Sequence, residues 1–336
     1  MPVILADGLR KEFRRALRGM GVGGALRTMF SRAYETMVAV HDVAFAIPEG
    51  QLVGYLGPNG AGKSTTIKML TGILRPTRGR VELLGLDPSR DRYKCLQQIG
   101  VLFGQRSQLW WDIPLHESLI ALRHIYALKA DEFRERIRIL DQLLDLSPLL
   151  GVPVRQLSLG QRMRGELAAT MLHRPRILFL DEPTIGVDSV GKMRFREFIR
   201  EANVRDGVTV MLTSHDLADV ESICHRVLLL DRGSIRFDGS PSELTRRFAV
   251  HSSLTVSLGK VESSSSVHQA LALLPPGAEL TEWREGKIVV AFDRARTGPT
   301  QILSCFDRLA VVDMRLQEAT LTDAFIRLYG AQGNTQ

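Results

Sequence analysis

Between residues 37 and 213, short apolar runs alternate with amphipathic stretches. The runs at 52–56, 177–180 and 208–212 are continuously apolar or β-branched, the pattern of strands buried on both faces. Elsewhere apolar positions recur every three or four residues: Leu115, Leu119 and Leu122, then Phe133, Ile137 and Leu140. That is the period of helices with one buried face. Strand alternating with helix predicts an α/β domain with a largely parallel sheet, with a mostly helical stretch at 114–150 inserted in the sheet order. Runs at 227–230 and 234–237, turning at Gly233, close this domain near residue 245. The start of the chain reads as a strand edge at 3–5 followed by a polar turn.

Beyond 245 the alternation changes. Strands are predicted at 254–258, 279–283, 287–292 and 311–316, and helices at 266–274 and 300–309, with Glu285-Gly286 at a hairpin turn. This βαββαβ order predicts a small ferredoxin-like α+β unit with an added helix at 321–329. The expected domains are therefore 1–245 and 246–336. A unit as small as the second has a limited core, so a regulatory or dimerising role, docked on the larger domain or on a twin subunit, is expected.

Composition adds bounds. The 336 residues are 44% hydrophobic and 24% charged, as in soluble two-domain proteins. The formal charge is +7, and residues 14–33 hold five arginines, four glycines and no acid. Removing those five arginines from +7 leaves +2, so the excess is local. It also lacks the interleaved aromatics of a single-strand binder, and no nucleic-acid partner is expected. Within it Leu26, Met29, Phe30 and Ala33 share one helical face. Such a basic amphipathic element fits anionic lipid headgroups or a membrane partner. A solvated insertion loop fits as well, because Gly19, Gly21, Gly23 and Gly24 interrupt the pattern upstream. Cys95, Cys224 and Cys305 lie too far apart for a zinc motif and suit a reducing compartment. No apolar run approaches the roughly 18 residues that span a bilayer, and no signal peptide is evident. A cytoplasmic location is expected, with any membrane role exerted through a partner.

The first chemical signal is Gly57-Pro58-Asn59-Gly60-Ala61-Gly62-Lys63-Ser64, which matches GxxxxGK[ST]. A predicted strand feeds it and a helix follows. Glycines let successive N–H groups turn inward around phosphate oxygens, and the helix N-terminus adds partial positive charge. Lys63 would reach the β- and γ-phosphates, and the Ser64 hydroxyl would ligate Mg²⁺. The second is the apolar strand ending in Asp181 and Glu182. Asp181 suits Mg²⁺, and Glu182, one residue further into the site, suits polarising an attacking water.

With Leu157-Ser158-Leu159-Gly160-Gln161-Arg162, which looks like an LSGGQ signature with Leu159 in place of its middle glycine, the chain resembles the ATP-binding subunits of ABC transporters. The resemblance covers 34–240, about three fifths of the chain. It implies a P-loop NTPase cassette, a RecA-like core plus a helical subdomain at about 106–165. It implies ATP and Mg²⁺, a second ABC ATPase subunit in a head-to-tail dimer, and integral membrane permease subunits. The resulting location is the cytoplasmic face of the inner membrane. Carried over residue by residue, the nucleotide site is residues 57–64 with Thr65. Ser158, Gly160 and Gln161 approach ATP on the opposite subunit, and Asp188 crosses the dimer interface. Gln105 contacts Mg²⁺ and the lytic water, and His215 steadies the γ-phosphate beside Glu182. Tyr34, 23 residues before Gly57, takes the adenine-stacking place, with Phe13 the rival aromatic. Trp110 and Trp111 fall where the family forms its permease groove, although core packing reads equally well.

The run from Gly104 to Pro114, the basic insertion and the close Glu318-Ala319-Thr320-Leu321-Thr322-Asp323-Ala324-Phe325 resemble exporters of drugs or organic cations with separate permeases. An importer ATPase with a ligand-sensing tail and a soluble ABC ATPase are the alternatives.

Overall fold

Strands β1 (Pro2–Ala16) and β2 (Tyr34–Pro48) pair antiparallel from Pro2 opposite Pro48 to Ala16 opposite Tyr34. The polar turn expected after residue 5 is thus a continuation of the strand. Glu12 and Phe13 find partners in Val38 and Met37, while Gly8, at φ 59°, and register shifts between Ala6 and Lys11 bend the ladder. This computed structural model describes residues 2–16, 34–104, 106–214, 216–248, 251–259, 264–284, 286–294 and 296–329. Of the basic insertion expected at 14–33, residues 14–16 complete β1 and residues 17–33 lie outside those described. The chain divides into two units, Met1–Gly239 and Ser240–Gln336.

In the first unit the chain continues through β3 (Leu52–Leu56), α1 (Lys63–Leu70), β4 (Arg78–Leu83), α2 (Arg92–Leu96) and β5 (Ile99–Phe103). Helices α3 (Leu115–Ile125), α4 (Ala130–Leu144) and α5 (Leu159–Met171) make the helical insertion. Then come β6 (Ile177–Asp181), α6 (Ser189–Asp206), β7 (Thr209–Thr213), α7 (Leu217–Ile223), β8 (Arg226–Asp231) and β9 (Ser234–Gly239). Among the described residues the sheet order is β4-β1-β2-β9-β8-β3-β7-β6-β5. The run from β8 to β5 is parallel, as the continuous apolar strands predicted. Tyr55, Phe179, Met211 and Leu228 are fully buried in its core. The buried Arg136 of α4 joins two helices of this insertion: its Nε and Nη2 donate to Met171 O at 3.0 and 2.9 Å, satisfying a carbonyl at the end of α5.

The second unit starts with α8 (Pro241–Phe248), followed by β10 (His251–Leu258), α9 (Ser264–Ala272), β11 (Ala278–Arg284), β12 (Lys287–Asp293), α10 (Pro299–Ser304), β13 (Val311–Gln317) and α11 (Leu321–Tyr329). Its sheet is antiparallel in the order β11-β12-β10-β13, the ferredoxin-like arrangement. Val256, Ile288, Val290 and Phe292 pack beneath Val267, Ile302 and Phe306. The helix expected over 300–309 stops at Ser304 and gives way to turns.

Candidate functional site

β3 is buried along its whole length and delivers the chain into the 57–63 loop. Two glycines are sterically required there. A Cβ on Gly57 would stand 2.2 Å from Leu230 O, and one on Gly62 2.5 Å from Ala39 O; both backbones have positive φ, 154° and 105°. The loop ends on α1, which has no side-chain cap and no acid in its first turn. Its first N–H groups and its dipole therefore favour an anion. Lys63, 6% exposed, donates from Nζ to Gly57 O at 2.7 Å and Pro58 O at 3.1 Å. Burial pulls its ammonium below the usual lysine range, and Glu182 and Asp181 oppose that by favouring the charged form.

Parallel pairing brings the second motif to the first. β7 lies between β3 and β6, with Thr213 opposite Asp181. The Thr213 hydroxyl donates to Asp181 Oδ1 at 2.7 Å, and Ser64 Oγ stands 3.4 Å from the same oxygen. Glu182 N donates to Thr213 O and Oγ1, both at 3.1 Å, which fixes a residue at φ 55°. That left-handed backbone at a carboxylate, held by a neighbouring strand, is strain of the kind found at reactive positions. Gly104 closes the site from the β5 side: its N–H donates to Asp181 O at 2.8 Å, and a Cβ there would stand 2.4 Å from Glu182 O.

A cavity of about 670 Å³ opens over these groups, lined in part by Phe13, Ser64, Thr65, Lys68, Asp181 and Glu182. Phe13 itself carries Lys11 Nζ 5.4 Å from its ring centroid. Tyr34 opens β2, but its side chain lies outside the described residues, as do Gln105 and His215 altogether. Their neighbours are placed. Asp216 caps α7 through Ala218 N and accepts from Lys192 Nζ at 2.6 Å.

The signature residues occupy a separate place. Ser158 caps α5 in a reciprocal box with Gln161, Gln161 N to Ser158 Oγ at 3.3 Å and Ser158 N to Gln161 Oε1 at 2.8 Å. Leu159 is 40% exposed and packs on Gly186, where a Cβ would stand 2.7 Å from its Cδ2. Gly160 faces open space, and Asp188 caps α6 through Gly191 N at 2.8 Å. Among the described residues, Ser158, Gly160 and Asp188 do not line the cavity over Ser64 and Asp181.

Thr213 and Glu166 were given no role from the sequence, and Gly104 stood out only as the start of the run to Pro114. Glu166, buried on α5, accepts from the Ser107 hydroxyl and from Gln108 N at 3.1 Å, and so ties the signature helix to the segment after Gln105. Burial pushes its carboxyl above the usual glutamate range despite these bonds and Arg162. Trp110 and Trp111 are 43% and 51% exposed, with the Arg162 guanidinium 5.6 Å from the Trp111 ring centroid, so neither is a core side chain.

The family model described as "ABC transporter" matches residues 40–185. Over 219 residues the chain is 35% identical to the probable multidrug ABC transporter ATP-binding protein YbhF of Escherichia coli (strain K12), a match of 65% of this chain and 37% of that protein's length. Over 302 residues it is 31% identical to the daunorubicin resistance ATP-binding protein DrrA3 of Streptomyces coeruleorubidus, spanning 89% of this chain and 93% of that protein. A solved structure described as the ATP binding subunit of an ABC transporter shares the fold, with a TM-score of 0.60 at 23% identity over 74% of this chain and 93% of that one.

Proposed function

Since this chain belongs to the ABC transporter ATP-binding proteins, a family of ATPases, we propose that it hydrolyses ATP to energise export of a small organic molecule through separate membrane permeases. It works as one of two copies at the cytoplasmic face of the membrane. The observation that favours export is the 31% identity, extending through both units, with a protein whose name assigns it to daunorubicin resistance.

The phosphates lie in the loop of residues 57–65. Lys63 turns its donors from Gly57 O and Pro58 O to the β- and γ-phosphates, where the neighbouring Asp181 and Glu182 keep it charged. Ser64 and Asp181 present the hard oxygen donors that Mg²⁺ takes and so fit that ion, and Gln105 is a further ligand by its place in the family motif. When bound, Mg²⁺ supplies charge neutralisation at the phosphates. Glu182, rigidly held through Thr213, orients the attacking water, and His215 steadies the γ-phosphate. Adenine stacks on an aromatic of the β1–β2 ladder, Tyr34 or its rival Phe13, of which Phe13 lines the cavity.

Ser158 and Gly160, set apart from their own chain's phosphate loop, complete the site of the opposite copy. Helix α5 offers its N-terminus there, and Gly160 leaves room for close approach. Trp111 and Arg162 form part of the surface that meets a permease.

Inside-out vesicles containing the chain and its permeases provide the test. ATP-driven accumulation of a lipophilic organic cation, lost in Glu182→Gln, is the expected result. Cation entry into right-side-out vesicles energised from within would overturn the direction. Undiminished hydrolysis in Glu182→Gln would overturn the site.

A further inference from the structure

The C-terminal sheet has two edges of different character. At one, β11 carries Glu279 and Glu282 and a register shift between Leu280 and Glu282. Charges and irregularities of this kind discourage edge pairing. At the other, β13 shifts only at its start, and residues 313–317 pair in regular register with residues 257–253 of β10.

Met314 and Leu316 lie opposite Val256 and Leu254, so they sit on the face that carries the core. Their partners are fully buried, yet Met314 is 53% and Leu316 40% exposed. Val312 before them is 72% exposed. The apolar layer therefore extends onto the edge strand, where it is left uncovered. Among the described residues no strand pairs with the outer side of β13.

This edge is complementary to itself. Val312-Asp313-Met314-Arg315-Leu316 reads apolar, acid, apolar, base, apolar. In an antiparallel pair related by a two-fold axis through Met314, each Asp313 faces Arg315 of the other copy, and each Val312 faces Leu316. Moving the axis to Asp313 or to Arg315 would set like charges opposite each other. One register is thus favoured over its neighbours by charge as well as by apolar contact.

We propose that β13 pairs antiparallel with β13 of a second copy of this chain about a two-fold axis through Met314, joining two four-stranded sheets into one. The identity of the partner rests on the two-copy reading given above. So short an edge covers less than the roughly 1,200–2,000 Å² of a free-standing interface. It is a second contact between chains that also meet at their cassettes, where tethering raises its effective concentration.

Cross-linking of the full chain without nucleotide tests this. Directly opposed antiparallel residues have Cα atoms about 4.5 or 5.5 Å apart, within disulfide reach. Met314→Cys should therefore oxidise to a covalent dimer, and the chain's own Cys95, Cys224 and Cys305 are buried. The expected yield is about tenfold above that of Glu279→Cys on the other edge. In the Met314→Cys background, Asp313→Arg or Arg315→Asp alone should lower the yield about tenfold, since each sets like charges across both symmetric pairs. The two reversals together should restore it. A yield at 314 no higher than at 279, or no recovery in the double reversal, would overturn the proposal. The ATP-dependent dimer of Glu182→Gln, measured with an unaltered tail, separates the two readings. If it forms while Met314→Cys fails to cross-link, only the β13 pairing is lost; if cross-linking succeeds without it, only the ATPase reading is.

Discussion

Thr213 donates its hydroxyl to Asp181 Oδ1 at 2.7 Å across neighbouring parallel strands, and the same oxygen of Thr213 accepts from Glu182 N at 3.1 Å. One buried hydroxyl thus fixes both carboxylate residues. Thr213→Val keeps the shape and removes both bonds, leaving Glu182 N only the Thr213 carbonyl. A hydrogen bond to a charged group is worth about 1.5–3 kcal/mol, so turnover should fall at least tenfold. Steady-state hydrolysis and nucleotide titration check this: kcat should drop while nucleotide affinity changes little. Equal losses in both would show that Thr213 serves binding and not positioning.

Glu166 gives a pH dependence whose sign follows from its environment. Burial raises its carboxyl pKa, so the folded chain holds this proton more tightly than the unfolded chain does. The stabilisation is complete below the ordinary glutamate value of about 4.3 and is lost as pH rises through the raised value. Glu166→Gln cannot titrate. Its Tm relative to the unaltered chain should therefore climb as pH rises from about 4, as read by differential scanning fluorimetry. A difference that shrinks over that range would contradict the assignment.

Trp111 is half exposed beneath Arg162, and truncating it opens no core cavity. Trp111→Ala should cost about 1 kcal/mol or less, against about 3–5 for a buried tryptophan. Basal hydrolysis should persist while stimulation by permeases disappears. A fall in Tm together with loss of basal hydrolysis would return Trp111 to a packing role.

The phosphate loop and the Asp181 strand were legible because their chemistry is local. Glycines that must turn, a lysine and a serine at a helix start, and an apolar strand ending in acids all lie in consecutive residues. Thr213 was not, since a threonine closing the strand Thr-Val-Met-Leu-Thr reads as an ordinary β-branched strand former. Only the register of β6 against β7 gives it a role. Gly104 is a similar case: its requirement is the nearby Glu182 carbonyl, just beyond the end of β6. The length of β1 was hidden for the same reason. Lys11 and Glu12 look like a turn in sequence and Arg14 and Arg15 like the start of the basic segment, and their strand conformation comes from a distant partner in β2. In the C-terminal unit the alternation was strong enough to give the βαββαβ order, but the open edge of β13 emerged only with the sheet order.

The same non-local pairing brings the two candidate aromatics onto one β1–β2 ladder. Phe13 pairs with Met37, and three residues further along Ala16 pairs with Tyr34. Phe13 lines the cavity with Ser64, Thr65 and Lys68, on the side where α1 begins, and Lys11 stands over its ring. A base resting on that ring gains stacking of about 1–3 kcal/mol. Phe13→Ala should accordingly weaken ATP binding about tenfold or more, while Phe13→Tyr, which keeps a flat π face, should bind nearly as well as the unaltered chain. The loss should be similar for ATP and GTP, since stacking reads the ring and not its edge. Tyr34→Ala should change affinity by less than about twofold if Phe13 is the platform. Titration with a fluorescent nucleotide in the Glu182→Gln background, where hydrolysis does not interfere, measures all four. Should Tyr34→Ala bear the loss and Phe13→Ala bind normally, the adenine belongs at the other end of the ladder, beside the basic insertion.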